Sequence, residues 1–169
     1  MKAWMGKHSI LLSLIPVVLI MVMIFCFSAQ TGAESGAMSG QITRWVIDLF
    51  VEDFENLPAT EQETLSSRVG FLIRKGAHFT EYALLGFFLM LHILQVAKRT
   101  TVKLPWLWAW GVATFYAATD EFHQSFVGGR GPAVTDVLID SCGVAAGVAL
   151  LCLILRRQIY TCNSQKKPL

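Results

Sequence analysis

The chain has 169 residues, of which 54% are apolar and 15% charged, with a formal net charge of +2 at pH 7. That balance excludes a soluble domain, and the absence of a basic patch excludes a nucleic-acid binder. The sequence reads as one domain, residues 1–169, whose natural solvent is lipid.

A hydrocarbon layer of about 30 Å takes about 20 helical residues to cross. Four apolar runs are expected to do so, at residues 9–27, 75–97, 104–121 and 133–155. They predict an all-α polytopic membrane bundle of four transmembrane helices. Lys2 and Lys7 precede the first run and Thr31-Gly32-Ala33 follows it, which is the layout of a secretory signal. The run is longer than the about 7 to 15 residues of a signal core, so an uncleaved anchor is expected.

The next segment, 28–74, turns acidic and small-polar. Within it Ile42, Trp45, Val46, Leu49 and Phe50 recur at helical spacing. They predict a short amphipathic helix packed on the bundle or lying on the membrane. Thr60-Glu61-Gln62-Glu63 has the form of a capping box and predicts a second short helix through Leu65 and Val69. The third run is free of charge only from 104 to 119, so its end carries Asp120 and Glu121 near membrane depth. On a continuing helix these neighbours point about 100° apart and take different roles. The fourth run starts after Pro132, and its Gly143 and Gly147 have the spacing of close helix packing, inside the bundle or between two copies. Cys26, Cys142 and Cys152 lie in apolar runs and Cys162 in the tail, which reads as small buried hydrophobes rather than a disulfide framework.

Lys2, Lys7, Lys98, Arg99, Lys103, Arg156, Arg157, Lys166 and Lys167 all fall on one side of this arrangement, without an acid among them. Cytoplasmic loops retain positive charge, so both termini are expected inside and segment 28–74 outside. Trp4, Trp106, Trp108 and Tyr160 then sit at the inner boundary as aromatic anchors.

This topology faces the start of the second span, the end of the third and the start of the fourth outward together. Lys75, His78, Glu81 and Tyr82 share one helical face, next to Arg74. Asp120, His123 and Gln124 share another, and Asp136 and Asp140 stand one turn apart. An unpaired charge at the membrane centre costs about 2.5 to 3.5 kcal/mol on insertion scales, so these groups are expected to pair, bind an ion or line water. Expected pairs are Lys75 or Arg74 with Asp136 or Asp140, and each histidine with a carboxylate that fixes its tautomer. His92, alone and deep, is expected to be a hydrogen-bonded or boundary residue.

Arg74-Lys75-x-x-His78-Phe79-x-Glu81-Tyr82, Asp120-Glu121-x-His123-Gln124, Arg130 and Asp136-x-x-x-Asp140-x-x-Gly143 together resemble the VanZ-like family signature. The resemblance runs from about Phe27-Ser28-Ala29-Gln30 to Leu155. It implies a small bacterial cytoplasmic-membrane protein of the cell envelope, in a family whose namesake is associated with teicoplanin resistance, and it implies no reaction or cofactor.

Three functions remain open on these residues. The first is an enzyme with an outer-facing site: His78, Glu81, Asp120, Glu121, His123, Asp136 and Asp140 as catalytic candidates, and Arg74, Lys75, Tyr82, Gln124 and Arg130 holding a lipid-linked phosphate or cell-wall precursor. In a variant of it, His78, His123 and nearby carboxylates ligate zinc or manganese, although no His-Glu-x-x-His element occurs. The Val127-Gly128-Gly129-Arg130-Gly131 segment suits either backbone contact to an anion or a simple turn. The second is a non-enzymatic binder of a lipid head group, a glycopeptide or an envelope partner. The third is a buried polar network that fixes helix register.

Overall fold

A computed structural model describes residues 2–131 and 133–164, with side chains for 10–131 and 133–156. The expectations resting on the side chains of Lys2, Trp4, Lys7, Pro132, Arg157, Tyr160, Cys162, Lys166 and Lys167 lie outside the described residues. Among the described residues every regular element is helical: α1 (Lys2–Ser28), α2 (Gly32–Phe50), α3 (Ala59–Ala97), α4 (Pro105–Gln124) and α5 (Val134–Ser164), with a 3-10 turn at Phe54–Asn56.

Three helices are long and apolar enough to cross a membrane: Ile10–Ser28 in α1, α3 throughout, and Val134–Arg156 in α5. α4 falls short of them because Trp, Tyr and Thr dilute its aliphatic residues and Asp120 and Glu121 close its end. Its Ala109, Ala113 and Ala117 recur every fourth residue and are buried, so its narrow face seats against the other helices while Trp108 and Phe115 point away. With Ile24, Tyr82, Leu85 and Val144 these alanines form the core.

The segment between the first two spans departs most from expectation. α2 is capped by a box the sequence reading overlooked: Thr31 Oγ1 accepts the Glu34 N–H at 3.2 Å, and Glu34 Oε2 accepts the Thr31 N–H at 2.8 Å. The Thr31 amide and hydroxyl hold the Glu34 carboxyl below its ordinary range, so the cap's contribution is present above that range and is lost as pH falls. The expected box at Thr60 does not form, because the cap position is Pro58 and carries no side-chain bond. No separate second short helix exists either. Its residues are the first turns of α3, which begins well before Lys75 and runs 39 residues to Ala97. At about 1.5 Å per residue it is about 58 Å long, nearly twice a hydrocarbon core.

α2 also packs with the face opposite to the one its apolar stripe suggests. Ile42, Trp45, Leu49 and Phe50 are 52, 65, 60 and 78% exposed, whereas Ser39, Thr43 and Ile47 are buried. Close approach explains the reversal: Thr43 Oγ1 lies 3.3 Å from where a Cβ on Gly70 of α3 would stand, so small side chains bring the two backbones together. The cysteines differ from expectation as well. Cys26, Cys142 and Cys152 are free and exposed on α1 and α5 rather than buried.

α3 and α5 run parallel and in near contact. A Cβ on Gly143 would meet the Phe79 carbonyl, and one on Gly147 the Ala83 carbonyl, so this glycine pair packs within the bundle. Gly143→Ala and Gly147→Ala are each expected to cost about 1–3 kcal/mol by overpacking. Gly111→Ala, with nothing within 4 Å, is expected to be neutral or to gain up to about 1 kcal/mol. Melting curves of the purified protein in detergent separate the two classes.

Candidate functional site

The parallel register of α3 and α5 brings Lys75 to Asp136, and the two form an ion pair with side chains 21% and 25% exposed. One expected pair is therefore realised, and Arg74 is left out of it. Among the described residues Arg74 makes no hydrogen bond or ion pair, although it is half-buried. It faces Arg130, which stands in the turn between α4 and α5 and donates to Gln124 Oε1 at 3.0 Å and to the Phe27 carbonyl at 3.4 Å. Burial lowers the Arg130 pKa and the Asp120 carboxylate opposes that, while Arg74 pushes the same way as burial. A guanidinium stays protonated regardless, so two cations share one space.

Behind Arg130 lies a buried polar chain. The Ser28 hydroxyl donates to Asp120 Oδ2 at 2.6 Å, and Gln124 Nε2 donates to both Ser28 Oγ and Asp120 Oδ2 at 3.1 Å. Glu121, the neighbour of Asp120, turns to α5 instead and accepts the Ala133 N–H at 2.6 Å. The two acids do take different roles, as the helical rotation between them requires.

Two cavities open on this assembly, of about 240 and 260 Å³. Ser35, Arg74, His78 and Arg130 line both. Glu81 lines the first, and Lys75, Gln124 and Asp136 the second. A smaller gap lies among Lys75, His78, Glu121, Asp136 and Asp140. His78 thus touches every polar space of the site, and the charges around it come from Asp120, Arg130, Lys75 and Asp136.

The buried Tyr82 hydroxyl lies beside the Asp120 carboxylate, whereas His78 Nδ1, Asp140 Oδ1 and Gln30 Oε1 are buried without a hydrogen-bond partner. Such atoms are rare in folded proteins, because each forfeits its solvation for nothing, and a cluster of them marks a place where a ligand or water completes the bonding.

Not every candidate joins the cluster. His123 stacks on Phe25 of α1, ring centres 4.7 Å apart, and lines none of these cavities. Its Nδ1, like that of His78, lacks the carboxylate partner expected for each histidine. Tyr82 is fully buried beneath the cavities, its ring 6.3 Å from that of Tyr116, and lines none of them. His92 pairs with the Ser13 hydroxyl at 3.0 Å, as a structural histidine does. Among the described residues no group of three His, Cys, Asp or Glu side chains has metal-binding geometry, so the zinc or manganese arrangement is not formed by His78, His123 and their neighbours.

The glycine segment is a turn. Gly129 has a φ of 75°, Arg130 N–H returns to the Val127 carbonyl at 3.2 Å, and Gly128 O accepts the Gly32 N–H at 3.1 Å. Its work is to hold Arg130 rather than to offer amides. Ser28, Gln30 and Ser35 were missed as site residues. The available signal was that Ser28 and Gln30 are the first polar side chains after an unbroken apolar run.

The sequence model of the VanZ/LLP1 family matches residues 13–156, which takes in every residue of this assembly. No curated protein matches the chain, and no solved structure does.

Lys75→Ala strands a partly buried carboxylate and is expected to cost about 1–3 kcal/mol. Asp136→Asn on that background should restore most of the loss. A double-mutant cycle on melting temperature, with all proteins in one detergent, reads the coupling directly.

Proposed function

The chain belongs to the VanZ/LLP1 family, and from that premise we propose that it works at the outer face of the bacterial cytoplasmic membrane on the phosphate of a lipid-linked cell-wall precursor. Arg74, half-buried and making no hydrogen bond or ion pair among the described residues, carries this reading together with Arg130, since two guanidinium groups lining one cavity suit a phosphate. The cavity they share also holds His78 and Glu81.

In this reading α4 is a fourth span, both termini are cytoplasmic and the arginine cavity opens outside. Lys98, Arg99 and Lys103 at the α3–α4 turn support that orientation, as does the exposure of Trp106 and Trp108 near the same end. The bond from Ser28 to Asp120 supports retention of α1 as an anchor.

The chemistry assigned is hydrolysis of a phosphate ester or anhydride. His78 takes a proton from water as its oxygen bonds to phosphorus, the bond from phosphorus to the leaving oxygen breaks, and the Glu81 carboxyl returns a proton to that oxygen. Arg74 and Arg130 hold the remaining phosphate oxygens, and Lys75, Asp136, Asp120 and Gln124 fix the walls. His123 has no step. One observation favours a second reading, binding without turnover: the His78 Nδ1 lacks the carboxylate or carbonyl that ordinarily orients a histidine base. Either activity changes which precursor is displayed to a glycopeptide, and so accounts for a link to teicoplanin resistance.

His78→Ala, Glu81→Ala and Arg130→Ala are expected to abolish teicoplanin resistance at unchanged membrane abundance, and His123→Ala to retain most of it. Unaltered resistance in the first three variants, with normal abundance, refutes the site. Incubating purified protein with lipid-linked precursors and following new species by mass spectrometry divides the readings: turnover lost in His78→Ala means catalysis, and saturable binding without product means capture.

A further inference from the structure

The two cavities adjoin at Ser35, Arg74, His78 and Arg130, and the cleft they make up differs in character on either side of those residues. Where Lys75, Gln124 and Asp136 line it the cleft is polar, and where Phe27, Met38, Ile42 and Ile73 line it the cleft is apolar. Arg74, His78 and Arg130 stand at the junction. A free phosphate or a sugar has no use for the apolar half, which buries a hydrocarbon favourably.

That half is also open sideways. Met38 and Ile42 line the cleft, yet they are 51 and 52% exposed on the outside of α2, and Phe27 at the end of α1 is 36% exposed. The apolar wall is therefore reached from the outside of the helices at Phe27, Met38 and Ile42. Just beyond it, Thr43 against Gly70 closes α2 onto α3, so the opening has a defined upper edge.

We propose that the apolar half is a subsite for the first carbons of a single hydrocarbon chain bearing an anionic head group, and that this lipid enters sideways from the outer leaflet, between α1 and the start of α2 on one side and α3 on the other. The proposal rests on the reading of the arginine pair as a phosphate site. A cavity of about 150 Å³ suffices for benzene, so one of about 240 Å³ takes a short stretch of chain and leaves the remainder in lipid. Charge complementarity fixes the orientation: the head group meets Arg74 and Arg130, and the chain passes Ile73 and Ala77.

Binding of two probes to the full-length protein in nanodiscs tests this, one a long-chain prenyl phosphate and the other ethyl phosphate. Ala77→Phe, which fills the cleft, is expected to weaken the prenyl phosphate about tenfold, the loss of about two buried methylenes, and to leave ethyl phosphate unchanged. Ile42→Asn, at an exposed position, should act in the same direction. Arg74→Ala and Arg130→Ala should weaken both probes.

If Ala77→Phe and Ile42→Asn leave the preference for the long chain intact, or if no preference exists, the chain subsite is wrong and the phosphate reading stands. If the arginine variants bind both probes as the wild type does, the phosphate reading itself fails. A prenyl phosphate with a diazirine on its first carbons gives a check independent of any variant. Labelling of the peptides containing Met38, Ile42 or Ile73 is expected, and labelling confined to the far face of α4 around Phe115 overturns the subsite.

Discussion

The backbone contact between α3 and α5 sets the place of everything polar in this protein. Gly143 against Phe79 and Gly147 against Ala83 advance together in steps of four residues, which is one turn on each helix. Beyond Gly143 and Phe79 the same parallel packing sets Lys75 within reach of Asp136, two turns from Gly143, and brings Asp140 to the neighbourhood of His78. Without side chains on the glycines the helices come close enough for the ion pair to form in a low-dielectric setting, where a stranded charge would be costly. Slippage by one residue would rotate the acids about 100° away from their partners. Packing and electrostatics therefore select the same register.

The polar groups divide into those that are satisfied and those that are not. Lys75 with Asp136, Glu121 with the Ala133 amide, and Gln124 between Ser28, Asp120 and Arg130 form a bonded frame. Within that frame His78 and Asp140 keep buried atoms unbonded, and Arg74 makes no hydrogen bond or ion pair among the described residues. A network whose purpose was register alone would close on itself, since each open position subtracts stability. Of the open members, His78 lines both cavities.

Much of this was legible in the sequence. Apolar runs bounded by charge fall within a few residues of α4 and of the membrane-length parts of α1 and α5, Ile10–Ser28 and Val134–Arg156, while both helices extend well past them, and spacings of three and four placed Lys75, His78 and Glu81 on one face. The Lys75 to Asp136 pair was among the few that the topology allowed. In the outer segment a helix through Ile42, Trp45 and Leu49 was expected and forms, but the face it packs with was not foreseen, because amphipathicity was read from apolar residues alone. In α2 the packed face is made of Ser39 and Thr43, whose small size permits contact with Gly70, and the large apolar residues are the ones left outside. The start of α3 was hidden by Arg74, Lys75 and Gly76, which resemble a boundary but lie within a helix held by α2. His123 has the right neighbours in sequence, but its ring meets Phe25 of α1, a contact between helices that spacing within one helix does not reveal.

The junction of Gly32 with Gly128 and Gly129 has a mechanical consequence. The amide of the first residue of α2 is bonded to the turn that carries Arg130, and the two backbones meet flush with no side chain between them. A rod seated on such a bearing does not tilt without dragging its seat. A change in the tilt of α2 therefore also moves the turn in which Arg130 stands two residues beyond Gly128.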